Sequence, residues 1–120
     1  MLERFLVPES DQVLVSEADI RNATESIFAR MGLGEEDARL AADVLILSDL
    51  RGCESHGVSN MLRHYIASYE AGQVKPRPDV TTLRESPISA ALDADSGLGI
   101  QVGPKAMQLA IDKAATTGIG

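Results

Sequence analysis

RGCESHGVSN, residues 51–60, interrupts a helical region with a polar, glycine-punctuated joint and holds one of the chain's two histidines. Downstream, Val58, Met61, Leu62, Tyr65, Ile66 and Tyr69 recur at helical spacing, so a helix starts where the quoted stretch ends. Gly72 closes it as C-terminal glycines do. Upstream, Glu35, Glu36 and Asp37 place three acids where a helix N-terminus favours negative charge. The run ARLAADVLILSDL continues that helix and is apolar on most sides, so it is expected to be the most buried element. Earlier still, Ser16 reads as an N-cap with Asp19 as a weak capping-box partner. Ile20, Ala23, Ile27 and Met31 then share a stripe that Thr24 interrupts, and Gly32 and Gly34 end this first helix. Residues 16–74 thus read as a helical subdomain, preceded by an arm, residues 1–15, that contains Pro8 and has no helical period.

The character changes at KPRPDV, residues 75–80, whose prolines exclude a helix. Residues 80–84 and 88–93 read as two short strands separated by Glu85-Ser86-Pro87. DSGLG, residues 95–99, is a turn, and a fourth helix follows over about residues 100–116, capped by Gly118. Helices followed by β-β-α give an α/β class, with residues 75–120 as the start of a central α/β domain.

Composition narrows the function. Formal net charge is −7, and no Lys/Arg cluster offers the basic footprint that nucleic acid requires. The apolar runs are too short to span a membrane. The N-terminal residues lack the apolar core of a secretory signal. A single cysteine, Cys53, makes no internal disulfide and fits a reducing compartment, so a cytoplasmic location is expected. With aromatics at 3% and no tryptophan, the core must be aliphatic, and Met31, Met61 and Met107 read as core fillers.

A helix beginning near His56 would align His56, Asn60, Arg63 and His64 as a polar stripe beside the apolar one. Such a histidine can exchange a proton near neutral pH. Ser55 could orient it or bind substrate, and Gly57 would permit close approach of a ligand or backbone. The plainer alternative makes Ser55 an N-cap, Gly57 a tolerated first-turn residue and His56 a surface side chain. Asp49 and Arg51 read as ion-pair members. Metal binding lacks support, because no second Cys/His pair joins Cys53 and His56. Gly97, Gly99 and Gly103 have the wrong spacing for a dinucleotide fingerprint and read as a tight turn before a helix.

The run SDLRGCESHGVSNMLRHYIASYEAGQVKPRP resembles the N-terminal region of the malate/L-lactate dehydrogenase family of the second type. These are NAD(P)-dependent oxidoreductases unrelated to the Rossmann-fold lactate and malate dehydrogenases, and they include ureidoglycolate and sulfolactate dehydrogenases. PISAALDADSGLGIQVGPKAMQLAIDKAATTGIG resembles the family's strand, D-x-D-x-G-x-G turn and helix, so the likeness covers about residues 14–120. It implies hydride transfer between NAD or NADP and a 2-hydroxy or 2-oxo acid such as malate or lactate. It places His56 in the active site as the proton-exchanging group, with Ser55, Asn60, Arg63 and His64 as substrate-binding candidates. It also implies a small-molecule substrate and a homodimer at full length. The cofactor site and a second active-site histidine are expected beyond residue 120, so the 120-residue chain alone is expected to be inactive and to expose apolar surface. Two positions depart from the family pattern. Asn60 stands where an arginine commonly holds the substrate carboxylate, and His64 stands where a tyrosine is usual. The alternatives are a non-catalytic helical interaction module, or a truncated partner of an intact dehydrogenase.

Overall fold

The computed structural model describes residues 8–120. Residues 1–7 of the expected arm lie outside the described residues. The remainder of the arm forms one short 3-10 turn, Glu9–Asp11, and then runs extended, with Val13, Leu14 and Val15 exposed. Four helices and one hairpin follow: α1 (Glu17–Arg30), α2 (Glu35–Leu50), α3 (Val58–Glu70), β1 (Thr81–Ser86), β2 (Ser89–Asp93) and α4 (Gly99–Thr117). The helices-then-β-β-α order expected from the sequence is the order observed.

α1 starts where Ser16 marks it. The Ser16 carbonyl accepts from the Ile20 amide at 3.1 Å, but the hydroxyl makes no capping bond, so the expected capping box does not form. The buried face is rotated from the expected stripe. Phe28 is fully buried and Thr24 nearly so, whereas Ala23 is exposed. Thr24 tolerates burial because its hydroxyl donates to the Ile20 carbonyl at 2.7 Å, so its own polar atom is paired. α2 packs against α1 and buries Ala38, Ala41, Ala42, Leu45 and Ile46, more residues than any other described helix. Alanine at three of those sites lets the backbones approach closely. Arg21 bridges the pair, bonding Glu17 on its own helix and Asp43 across on α2.

α3 lays Leu62 into the same core, with Val58, Met61, Tyr65, Ile66 and Tyr69 packed around it, as its spacing predicts. α4 closes the core with Leu98 and Val102. Gln101, 1% exposed, donates to Asp37 Oδ2 of α2 at 2.9 Å and to the Pro76 carbonyl at 3.1 Å. One buried amide therefore joins α2, α4 and the proline connector.

β1 and β2 form an antiparallel hairpin that differs from the expected strands. Glu85 and Ser86 belong to β1, and Pro87–Ile88 makes the turn. The Ser86 and Ser89 hydroxyls, 2.8 Å apart, close the last pair, which is why the strand runs past the expected end. The ladder is irregular between Thr82 and Arg84, and Leu83 there is largely exposed. Met107 is not a core filler: it is 62% exposed on α4, and Ile111 beside it is exposed too.

Candidate active-site turn

The joint between α2 and α3 holds the candidate residues. α2 ends in a Schellman motif: Gly52, at φ 72°, takes the left-handed conformation, and the Cys53 amide donates to the Ser48 carbonyl at 2.8 Å. This reverses the chain into a single 3-10 turn, Glu54–His56, and α3 begins at Val58. His56 therefore lies outside α3. The expected stripe is split: Asn60, Arg63 and His64 share a face of α3, while His56 stands on the turn that leads into it.

Within the turn, Ser55 Oγ and His56 Nδ1 lie 2.8 Å apart. A hydroxyl can donate to or accept from an imidazole nitrogen, so Ser55 can serve either tautomer. In both cases Nδ1 is engaged, and Nε2 is the nitrogen left to exchange a proton. His56 is exposed, as are Arg63 and His64. Arg63 makes no ion pair among the described residues, so its guanidinium is available to a carboxylate. Asn60 is already engaged: Nδ2 donates to the Glu54 carbonyl at 2.8 Å, tying the first turn of α3 to the Ser-His turn. Cys53 is exposed and free.

Asp49 corrects the expectation of an ion pair with Arg51. Its Oδ2 accepts from the Val58 amide at 2.8 Å, so the carboxylate caps α3 from α2. Sequence spacing hid this role because the cap and the capped amide belong to different helices.

In the Gly97–Gly99 turn, Gly97 is packed by protein while the space at Gly99 is open. A Cβ on Gly97 would lie 2.7 Å from Pro78, 2.8 Å from Val102 and 2.9 Å from the Ala94 carbonyl. The preceding acids serve the fold. Asp93 accepts from the Asp95 amide at 2.9 Å, and Asp95 accepts from the Asp79 amide at 2.9 Å while bonding Lys75. This segment locks the connector to the turn. One groove, of about 550 Å³, lies between β2 and α4; another, of about 510 Å³, lies between the arm, α1 and α2 and reaches Asp49, Glu54 and Ser59 at the candidate turn. His56 lines neither. No group of three or more His, Cys, Asp or Glu among the described residues could hold a metal. No helix among them is long and apolar enough to cross a membrane.

Comparison with known proteins agrees with this architecture. The L-sulfolactate dehydrogenase of Methanocaldococcus jannaschii is 39% identical over 97% of this chain and 31% of its own length. The malate dehydrogenase of Pyrococcus abyssi is 42% identical over 100% of this chain and 33% of its own. The solved malate dehydrogenase of Pyrococcus horikoshii superposes with a TM-score of 0.89 at 40% identity, over 96% of this chain and 32% of that one. The chain thus spans about a third of the length of these relatives. Residues 15–120 match the family profile described as malate/L-lactate dehydrogenase, and the chain belongs to that family.

Proposed function

We propose that this chain is the N-terminal part of an NAD(P)-dependent oxidoreductase that interconverts a 2-hydroxy acid, such as malate or lactate, and its 2-oxo acid. The observation that carries the reading is the Ser55–His56 pair, 2.8 Å apart on an exposed turn beside the cationic face of α3, in a chain of this family. Oxidation of a hydroxy acid removes a hydride from carbon and a proton from oxygen. The nicotinamide supplies the hydride acceptor. In this reading the cofactor site lies beyond residue 120, so the roles given to the described residues are confined to the proton and the substrate.

His56 Nε2 takes the hydroxyl proton in oxidation and returns it in reduction. In the tautomer that takes the proton at Nε2, Nδ1–H donates to Ser55 Oγ, which holds the ring in place. Arg63 and His64 face the substrate carboxylate, Arg63 as a bidentate partner. Asn60 stands at the edge of the same face, its amide nitrogen held by Glu54. The exposure of His56 fits a site completed by protein beyond these residues, and a homodimer belongs to the same reading. The free, exposed Cys53 fits a reducing cytoplasm.

The test is an assay of the product of the whole reading frame with malate, lactate and sulfolactate, each with NAD and with NADP. The expected result is formation of reduced nicotinamide with at least one 2-hydroxy acid, and consumption of it with the matching 2-oxo acid. Absence of turnover with every pair sinks the reading and favours a non-catalytic helical module.

A further inference from the structure

Asp49 sits in the last turn of α2, where its own helix dipole disfavours a negative charge. The same carboxylate stands at the start of α3, where the dipole favours it and free amides need acceptors. α3 has no cap from its own N-cap residue, because that residue is Gly57. Gly57 has φ −88° and ψ −173°, extended backbone that any residue adopts, so conformation does not demand glycine there. Space does. A Cβ on Gly57 would lie 1.5 Å from Asp49 Oδ1, 2.2 Å from Cγ and 2.6 Å from Oδ2. All three of these nearest atoms belong to the one carboxylate.

The Ser55–His56 pair lies immediately before this contact. Its backbone is held by the His56 amide donating to the Cys53 carbonyl at 2.9 Å and the Gly57 amide donating to Glu54 at 3.2 Å. Asn60 adds its own bond to the Glu54 carbonyl from α3. Asp49 fixes the end of the turn to α2, and Asn60 fixes its beginning to α3.

We infer that Asp49 and Gly57 act as a matched pair that positions His56: the missing side chain at Gly57 admits the Asp49 carboxylate, which caps α3 and fixes the turn that carries the histidine. Asp49 is a positioning residue, acting through His56. The inference rests on the proton role proposed for His56.

The test compares Asp49→Ala, Asp49→Asn, Gly57→Ala, the double variant Asp49→Ala/Gly57→Ala, His56→Ala and Asp49→Ala/His56→Ala in the whole enzyme. A misplacement of about 1 Å costs on the order of a hundredfold in rate, so Asp49→Ala is expected to lower kcat by about tenfold to a hundredfold, with far less change in KM. Asp49→Asn keeps an acceptor oxygen and restores most of the rate. Gly57→Ala lowers kcat in the presence of Asp49 but adds almost nothing to Asp49→Ala, because the atoms it would strike are gone. Asp49→Ala likewise adds almost nothing to His56→Ala. Hydrogen exchange at the Val58 amide reads the cap without turnover, and it is expected to speed up in Asp49→Ala and in Gly57→Ala. Additive losses from Asp49→Ala and Gly57→Ala, or full kcat in folded Asp49→Ala, overturn the inference. If Asp49→Ala does not fold, Asp49→Asn and Gly57→Ala decide in its place: low kcat in Asp49→Asn, or wild-type kcat and Val58 exchange in Gly57→Ala, overturns the inference. Full turnover by His56→Ala is a different failure, because it removes the proton role and with it the reason to position His56, while the Val58 exchange still reports whether the pair caps α3.

Discussion

Tyr69 packs its ring on the core side of α3, yet its hydroxyl is buried with no hydrogen-bond partner. Burial pushes its ionisation up to about 12, and the charge of Asp37 adds to the effect. The folded state thus prefers the neutral phenol. The corresponding stability is fully present below the ordinary tyrosine value of about 10 and is lost as pH rises toward 12. Tyr69→Phe removes only the unpaired hydroxyl, so stability at pH 7 is expected to stay level or rise by up to about 1 kcal/mol. Denaturant unfolding of the variant, with a weaker decline above pH 10, checks this; a clear loss of stability at pH 7 contradicts it. The place of Tyr69 on the packed stripe is legible from spacing alone. Its orphaned hydroxyl is not, because that depends on what other helices bring near it. The same limit separates Thr24 and Phe28 from the expected stripe of α1. A polar threonine looks like an interruption until its hydroxyl is seen bonded to its own helix.

Contacts between elements carry the acid sensitivity. Asp37, at the start of α2, meets Lys105 and Gln101 of α4. Burial works to raise its ionisation, but the hydrogen bonds from Lys105 and Gln101 and the lysine charge outweigh it, so the carboxyl is held below its ordinary range. Hydrogen bonds from Lys75 and the Asp79 amide hold Asp95 low as well. For both acids the folded value lies below the unfolded one. Their stabilisation is therefore present above the ordinary carboxylate range and is lost as pH falls through the folded values. The thermal midpoint is expected to hold near neutral pH and to drop below about pH 4. Asp37→Asn should lower the midpoint at pH 7 and flatten part of that drop; an acid limb as steep as that of the unaltered protein contradicts the assignment. The acids at the start of α2 were legible as dipole partners, and helical periodicity located all four helices within a few residues. The hairpin was less legible. Its strand ends follow from a cross-strand serine pair and a bulge, neither of which periodicity records.

At the scale of the molecule, α1–α3 and α4 form a core of Phe28 and aliphatic side chains that buries the middle of α2, while the last turn of α2 carries Asp49 to the Ser-His turn. β1 and β2 remain mostly exposed on both faces, and Leu83, Ile88, Met107 and Ile111 are exposed around them. The family was legible because two separated motifs resemble it together, Ser55-His56-Gly57 with its upstream Asp49, and the Asp93–Gly99 turn. Their division of labour was not legible. The second motif braces the connector, the first exposes a histidine, and Asp49 joins two helices across the turn between them. The measurement that bears most directly on the proton role of His56 is kcat/KM of the whole enzyme carrying His56→Ala, with near-ultraviolet circular dichroism to confirm the fold. Loss of a general acid–base group predicts a fall of about a hundredfold to ten-thousandfold with an unchanged spectrum. A folded His56→Ala enzyme that turns over at the wild-type rate contradicts that role.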